Sequence, residues 1–176
     1  MRVALIPCTS RKKAYKCPAR DLYSESPRFQ LAYALAKLVA DKIFILSAKY
    51  GLVLEDTIIE PYNETLKGKS VLERRAWGEK VLNELRKVSD LESDEFIVLA
   101  GKVYHENLVP NMTHFWLPLK GKRQGEWIHK QMGMKNRMPE ICRIMYEKMM
   151  PGDEVLHTTP SGKSSTIKIR YYIKNQ

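Results

Sequence analysis

Hydrophobic positions along this chain fall into short unbroken runs, separated by stretches with helical spacing. Residues 2–8, 42–47 and 95–100 are almost continuously apolar, as expected of strands buried on both faces of a sheet. Between the first two, Ser26-Pro27 supplies a helix cap with proline at the first helical position. Phe29, Leu31, Ala32, Leu35 and Leu38 then form an apolar stripe that runs to Val39. Together these segments predict a β-α-β unit with a parallel strand pair and a right-handed crossover. After Gly51 the pattern is less regular, and Pro61-Tyr62-Asn63 marks a turn. Ser70-Val71-Leu72-Glu73 reads as a capping box. The helix it opens carries Val71, Leu72, Trp77, Val81, Leu82 and Leu85 and is expected to end near Lys87. A short helix over 104–108 follows the third strand, and 113–119 is positioned to extend the sheet.

The remainder is helical over 125–150, with Gly133 and Pro139 dividing it into two pieces. Met150-Pro151-Gly152-Asp153 is the strongest boundary, and 154–158 and 165–173 beyond it have strand character. The sequence therefore predicts an α/β three-layer core with a mostly parallel sheet over residues 1–148. A basic β-hairpin over 149–176 is appended to it. A hairpin of that size must pack on the main body or on another subunit.

Two of the apolar runs end in polar loops of the same kind. Ile6-Pro7-Cys8 breaks into Thr9-Ser10-Arg11-Lys12, and Ile45-Leu46 breaks into Ser47-Ala48-Lys49-Tyr50-Gly51. In an open α/β sheet the carboxyl ends of the strands form the ligand-binding rim. Ser10, Lys12, Ser47, Tyr50 and Gly51 are thus expected to meet across one cleft with Lys49, where hydroxyls and ammonium groups can hold a phosphate or a carboxylate. Glu60 is the best-placed carboxylate beside the second loop, and Tyr62 can stack on a base. His105, after the third strand, approaches the same rim.

The formal charge of +10 is concentrated at the two ends: residues 101–176 hold thirteen basic and six acidic side chains. A basic surface attracts phosphate backbones. In the hairpin, Lys163, Lys168 and Arg170 are interleaved with Tyr172, a combination that can track a phosphate backbone and stack on an exposed base. Gly162-Lys163-Ser164 resembles the end of a Walker loop but lacks the strand, glycine loop and helix that the loop requires. The three cysteines, Cys8, Cys17 and Cys142, have neither disulfide nor zinc spacing, and reduced thiols are expected. Cys8 is read as a buried structural thiol, because no histidine lies near it in sequence to activate it. No run approaches a membrane span and the N-terminus lacks a signal-peptide shape, so a cytoplasmic protein without metal or cofactor is expected.

Ile6-Pro7-Cys8-Thr9-Ser10 with Lys12, Leu22-Tyr23-Ser24 with Ser26, Leu46-Ser47-Ala48-Lys49-Tyr50-Gly51-Leu52, and Glu60-Pro61-Tyr62 together carry a resemblance. The first 120 residues resemble a family of small, mostly uncharacterised bacterial and phage domains. More distantly they are similar to the YaaA peroxide-stress proteins, which are linked to DNA protection. A similar proline-cysteine-serine-lysine element occurs in archaeosine synthase, which completes a deazaguanine base in transfer RNA. The resemblance implies a domain associated with nucleic acids or modified bases, and it extends to Cys8, Ser10, Lys12, Ser47, Lys49, Tyr50, Gly51, Glu60 and Tyr62. This chain has Thr9 and Ser10 where a single serine usually follows the cysteine.

Two functions remain open at this point. The first is a nucleic-acid-associated enzyme acting on a nucleotide or modified base at an N-glycosidic bond. Glu60 would then stabilise the developing charge, with Lys49 as its catalytic partner. The second is a non-catalytic DNA- or RNA-binding module in stress response, defence or phage biology. The partner expected is DNA, RNA or a phosphorylated nucleoside, and not a membrane.

Overall fold

The computed structural model describes residues 1–118, together with the backbone of 154–158, 164–168 and 172–173. Strand β1 (Arg2–Pro7) is followed by the short β2 (Cys17–Pro18), helix α1 (Ala19–Leu22) and helix α2 (Pro27–Val39). Next come β3 (Lys42–Ser47), β4 (Gly51–Leu54), β5 (Ile58–Ile59) and α3 (Val71–Leu85). The chain continues through β6 (Glu95–Val98), α4 (Lys102–His105), a 3-10 turn at Val109–Asn111 and β7 (His114–Trp116). Strands β8 (Glu154–Thr158), β9 (Ser164–Lys168) and β10 (Tyr172–Ile173) complete it.

The main sheet has the order β10-β7-β6-β1-β3-β4. Its four central strands run parallel, with β1 between β3 and β6, and an antiparallel strand closes each edge. This is the mostly parallel α/β sheet that the three apolar runs predict. The reason is visible in burial: Val3, Ala4, Leu5 and Ile6 are all fully buried, as a strand covered on both faces requires.

Helix α2 starts where its sequence signals place it, with the Phe29 amide donating to the Ser26 hydroxyl. Its core stripe is Phe29, Ala32, Leu35, Ala36 and Val39, while Leu31 is half-buried and Leu38 is exposed. The buried set follows the three- and four-residue steps of one helix face, and Leu38 falls off that face. The capping box of α3 is formed in both directions, Ser70 with Glu73. Its packed stretch begins at Trp77, which leaves Val71 and Leu72 of the first turn exposed. Asn107 lies against α3 at Gly78, where a Cβ would stand 2.6 Å from the Asn107 Cβ.

Three features depart from the sequence reading. Strand β4 follows β3 directly as an antiparallel edge, with Ser47 paired to Gly51. Cys17 and Pro18 pair with Ile59 and Ile58 in a separate two-stranded ribbon. The expected strand over 165–173 divides: β9 pairs antiparallel with β8, while β10 pairs with β7 in the main sheet. The helical stretch expected over 125–150 lies outside the described residues. Among the described residues, no helix is long and apolar enough to cross a membrane.

Candidate functional site

The carboxyl ends of β1 and β3 converge with α4, the start of α2 and the segment after β5. The Cys8 amide continues the β1–β3 ladder, donating to the Leu46 carbonyl at 3.0 Å, so both strand exits are held to one rim. Cys8 is buried there, its thiol 3.3 Å from the Tyr104 hydroxyl. Ser47, fully buried at the end of β3, donates its hydroxyl to Tyr62 at 2.8 Å and accepts the Tyr50 amide at 3.0 Å. The Tyr62 and Tyr23 hydroxyls are 2.8 Å apart. Behind them, the Trp77 indole N–H donates to the Ser47 carbonyl at 2.9 Å, and its ring meets Tyr104 edge-on at 5.6 Å.

Cations face this hydroxyl network. The Lys12 ammonium lies 4.6 Å from the Tyr62 ring centroid, and the Lys49 ammonium lies 5.0 Å from that of Tyr50. The Tyr50 and Tyr62 rings themselves meet edge to face at 5.4 Å. These contacts therefore link Lys12, Tyr62, Tyr50 and Lys49 in one continuous row. Arg28, from the first turn of α2, is within electrostatic reach of Tyr104 and Cys8.

Burial shifts the titration of these groups. It raises the phenol pKa values of Tyr23, Tyr62 and Tyr104 above the ordinary 10.0, with Cys8 a further contributor to each, so all three stay neutral hydroxyls well into alkaline pH. Burial lowers the pKa values of the Lys12 ammonium and the Arg28 guanidinium. The arrangement combines neutral hydroxyl donors with partly desolvated cations, which suits an anionic or electron-rich ligand. Among the described residues, no three His, Cys, Asp or Glu side chains are grouped to hold a metal.

The sequence-predicted residues divide clearly. Lys12, Ser47, Tyr50 and Tyr62 are brought together, and Lys49 joins them through the Tyr50 ring. Ser10 is exposed beside them, its carbonyl accepting from the Lys12 ammonium at 3.5 Å. Gly51 is buried with φ of 85°, directly after the turn. Glu60 is exposed, and its backbone carbonyl accepts from the Tyr50 hydroxyl at 3.4 Å. His105 ends α4 and is half-buried, but it is Tyr104 that reaches the cluster. Lys163 and Arg170 lie outside the described residues, Lys168 ends β9, and Tyr172 pairs with Phe115 in the main sheet. Tyr23, Arg28, Trp77 and Tyr104 are additions. Only Tyr23 had a signal in the sequence, through Leu22-Tyr23-Ser24.

The fold is an open, mostly parallel α/β sheet with a polar cluster at its carboxyl rim, the place where sheets of this kind carry ligand sites. Residues 3–131 match a family of unknown function, DUF6884, and the chain belongs to that family. No curated protein matches the chain significantly. No solved structure does so either.

Proposed function

We propose that this protein is a nucleic-acid-associated enzyme that binds a nucleotide or modified base at the carboxyl rim and acts at its N-glycosidic bond. The observation that carries the reading is the row of Lys12, Tyr62, Tyr50 and Lys49, in which an ammonium lies 4.6 Å from one ring centroid and 5.0 Å from the other. Such a row offers charge for a phosphate and π surface for a base. Ser47 and Tyr23 act behind it, fixing Tyr62 through its hydroxyl.

Breaking a glycosidic bond needs a proton for the departing base, negative charge near the oxocarbenium ion, and a water molecule (release) or an incoming base (exchange) that forms the new bond to the anomeric carbon and gives up its proton. The neutral tyrosine hydroxyls and the Lys12 ammonium supply donors. Glu60, two positions before Tyr62 and tied to Tyr50 through its backbone, supplies the carboxylate. The likeness of the proline-cysteine-serine-lysine element to that of archaeosine synthase, and the more distant short-motif likeness to YaaA proteins, support a base or nucleic acid as substrate.

The test is mass spectrometry of DNA, transfer RNA and free nucleotides incubated with the protein. Release or exchange of a base that is lost in Glu60→Gln is the expected result. Absence of turnover on all three substrates overturns the enzymatic reading. The second reading, a non-catalytic nucleic-acid-binding module, is favoured by the exposed Arg11 and Lys16 in the loop between β1 and β2. It predicts salt-dependent binding without turnover.

A further inference from the structure

The loop between β1 and β2 carries one more ring than the row described above. Tyr15 is 60% exposed, although aromatic residues of this size usually bury their rings. The Lys13 ammonium lies 5.6 Å from the Tyr15 ring centroid. The loop is pinned on either side of the Lys13–Tyr15 pair. The Thr9 hydroxyl donates to the Arg11 carbonyl at 3.0 Å, and the Lys13 amide donates to the Leu22 carbonyl at 2.9 Å. On the far side, Cys17 is fixed by its strand pairing with Ile59. Tyr15 is therefore presented to solvent from an anchored segment, three positions from Lys12, whose ammonium covers Tyr62.

Three lysine–tyrosine pairs thus share this part of the molecule: Lys12 with Tyr62, Lys49 with Tyr50, and Lys13 with Tyr15. A single nucleotide needs one ring and one or two cations. A third pair, displaced along the loop and flanked by exposed Arg11 and Lys16, matches a longer polyanion that carries further bases. Chain reach over three residues is at most about 11 Å, the scale of one to two nucleotide steps along an extended strand. Bases already paired in a duplex are stacked on each other and do not offer a free face to a protruding ring. Stacking on aromatic side chains along a basic track is the usual way of holding single strands.

We infer that the ligand is a single-stranded nucleic acid segment, with one nucleotide at the Tyr50–Tyr62 rim and a flanking base stacked on Tyr15. This deepens the proposed function and rests on the nucleotide reading of that rim. Lys13, Arg11 and Lys16 then neutralise the connecting phosphates, while Tyr15 adds affinity without reading sequence.

The test uses the full chain and fluorescence anisotropy with oligothymidylate and oligouridylate of about ten nucleotides. A duplex of the same length and free thymidine monophosphate serve as competitors. The single strands are expected to outcompete both. Tyr15→Ala should weaken oligonucleotide binding about tenfold while leaving monophosphate binding and the unfolding midpoint unchanged, and Tyr15→Phe should restore it. The two oligonucleotides separate a preference for DNA from one for RNA. Oligonucleotide affinity unaltered in Tyr15→Ala, or equal binding of the duplex, overturns the inference while monophosphate binding at the rim stands. If neither oligonucleotide nor monophosphate binds, the inference falls together with the nucleotide reading of the rim.

Discussion

Ser47 and Tyr62 are joined by a 2.8 Å hydrogen bond in which the buried serine donates to the phenol oxygen. The same serine oxygen accepts the Tyr50 amide, so one side chain locks the two aromatic residues of the rim in register. Ser47→Ala leaves both partners short of a bond in a part-buried setting. It should cost about 1–3 kcal/mol of stability in urea unfolding, because an unsatisfied buried polar group pays its desolvation penalty. Loss of ligand affinity should accompany that cost. An unchanged unfolding midpoint would mean that the two tyrosines hold their positions without the serine.

Lys12 gives the site a pH signature. Its ammonium is pushed below the usual lysine value of 10.5 by burial, which disfavours the charged form. Affinity for an anionic ligand should therefore start to fall, as pH rises, at a lower pH than an ordinary lysine would produce. Folding stability should move the opposite way. Between the lowered folded value and 10.5 the unfolded chain binds more protons, so stability contributed by this group rises with pH. Lys12→Arg should abolish the early fall in affinity, since a guanidinium stays charged throughout.

Lys49 makes a useful contrast. It is exposed and rests on the Tyr50 ring. Lys49→Met keeps the length of the side chain and removes its charge. Binding of a phosphorylated ligand should weaken several-fold with stability altered by less than about 0.5 kcal/mol, as is usual for surface substitutions. A large drop in stability with unchanged binding would exclude Lys49 from the site.

The tyrosine cluster predicts the alkaline limit of the fold. Tyr23, Tyr62 and Tyr104 are raised by burial above the ordinary value of 10.0, and Tyr33, which donates to the Glu55 carboxylate, is raised to about 12. Stability from these groups is complete below the unfolded value and is lost as pH climbs through the folded values. Phenolate absorbance should show exposed tyrosines ionising first. The cluster should follow only as circular dichroism reports unfolding. Simultaneous ionisation of all tyrosines near the ordinary value, with the fold intact, would contradict this.

Gly51 is the residue of the rim least open to substitution. Its φ of 85° is unfavourable for other residues, and a Cβ there would stand 2.6 Å from a Glu84 carboxylate oxygen. That oxygen accepts the Leu52 amide at 2.7 Å. Gly51→Ala should cost about 2 kcal/mol from backbone strain and the displaced carboxylate, read by denaturant unfolding.

The elements that could be read from the sequence are those with a local cause. Ser26-Pro27, the Ser70–Glu73 box and the apolar runs each act within a few residues, and α2, α3 and the central strands appear where these signals place them. Strand β4 escaped because the residues joining it to β3 carry no hairpin dipeptide and read instead as a ligand loop. The β2–β5 ribbon is two residues wide and has no periodicity to detect. In the site, Lys12, Lys49 and Tyr50 could be found because they follow the ends of the apolar runs, and Tyr62 because it stands in the Glu60-Pro61-Tyr62 turn. Tyr104 could not be assigned, since it meets Cys8 only when the sheet brings together positions 96 residues apart. Cys8 is buried, as the sequence reading expects of a structural thiol, and the Tyr104 hydroxyl 3.3 Å from its sulfur is a contact that sequence spacing does not show.

The direct pairing of Ser47 with Gly51 leaves only Ala48, Lys49 and Tyr50 between two laddered strands. Both ends of that turn are therefore fixed to the sheet, and it cannot swing to admit or release anything. An inserted residue there would slip β4 by one position and turn its side chains to the wrong face. The loop from Thr9 to Lys16 is anchored at both ends but joins β1 to a strand of a different sheet, so its length sets no register between paired strands. Adapting the scaffold to new ligands therefore means changing residue identity at 48–50 and both length and identity at 9–16.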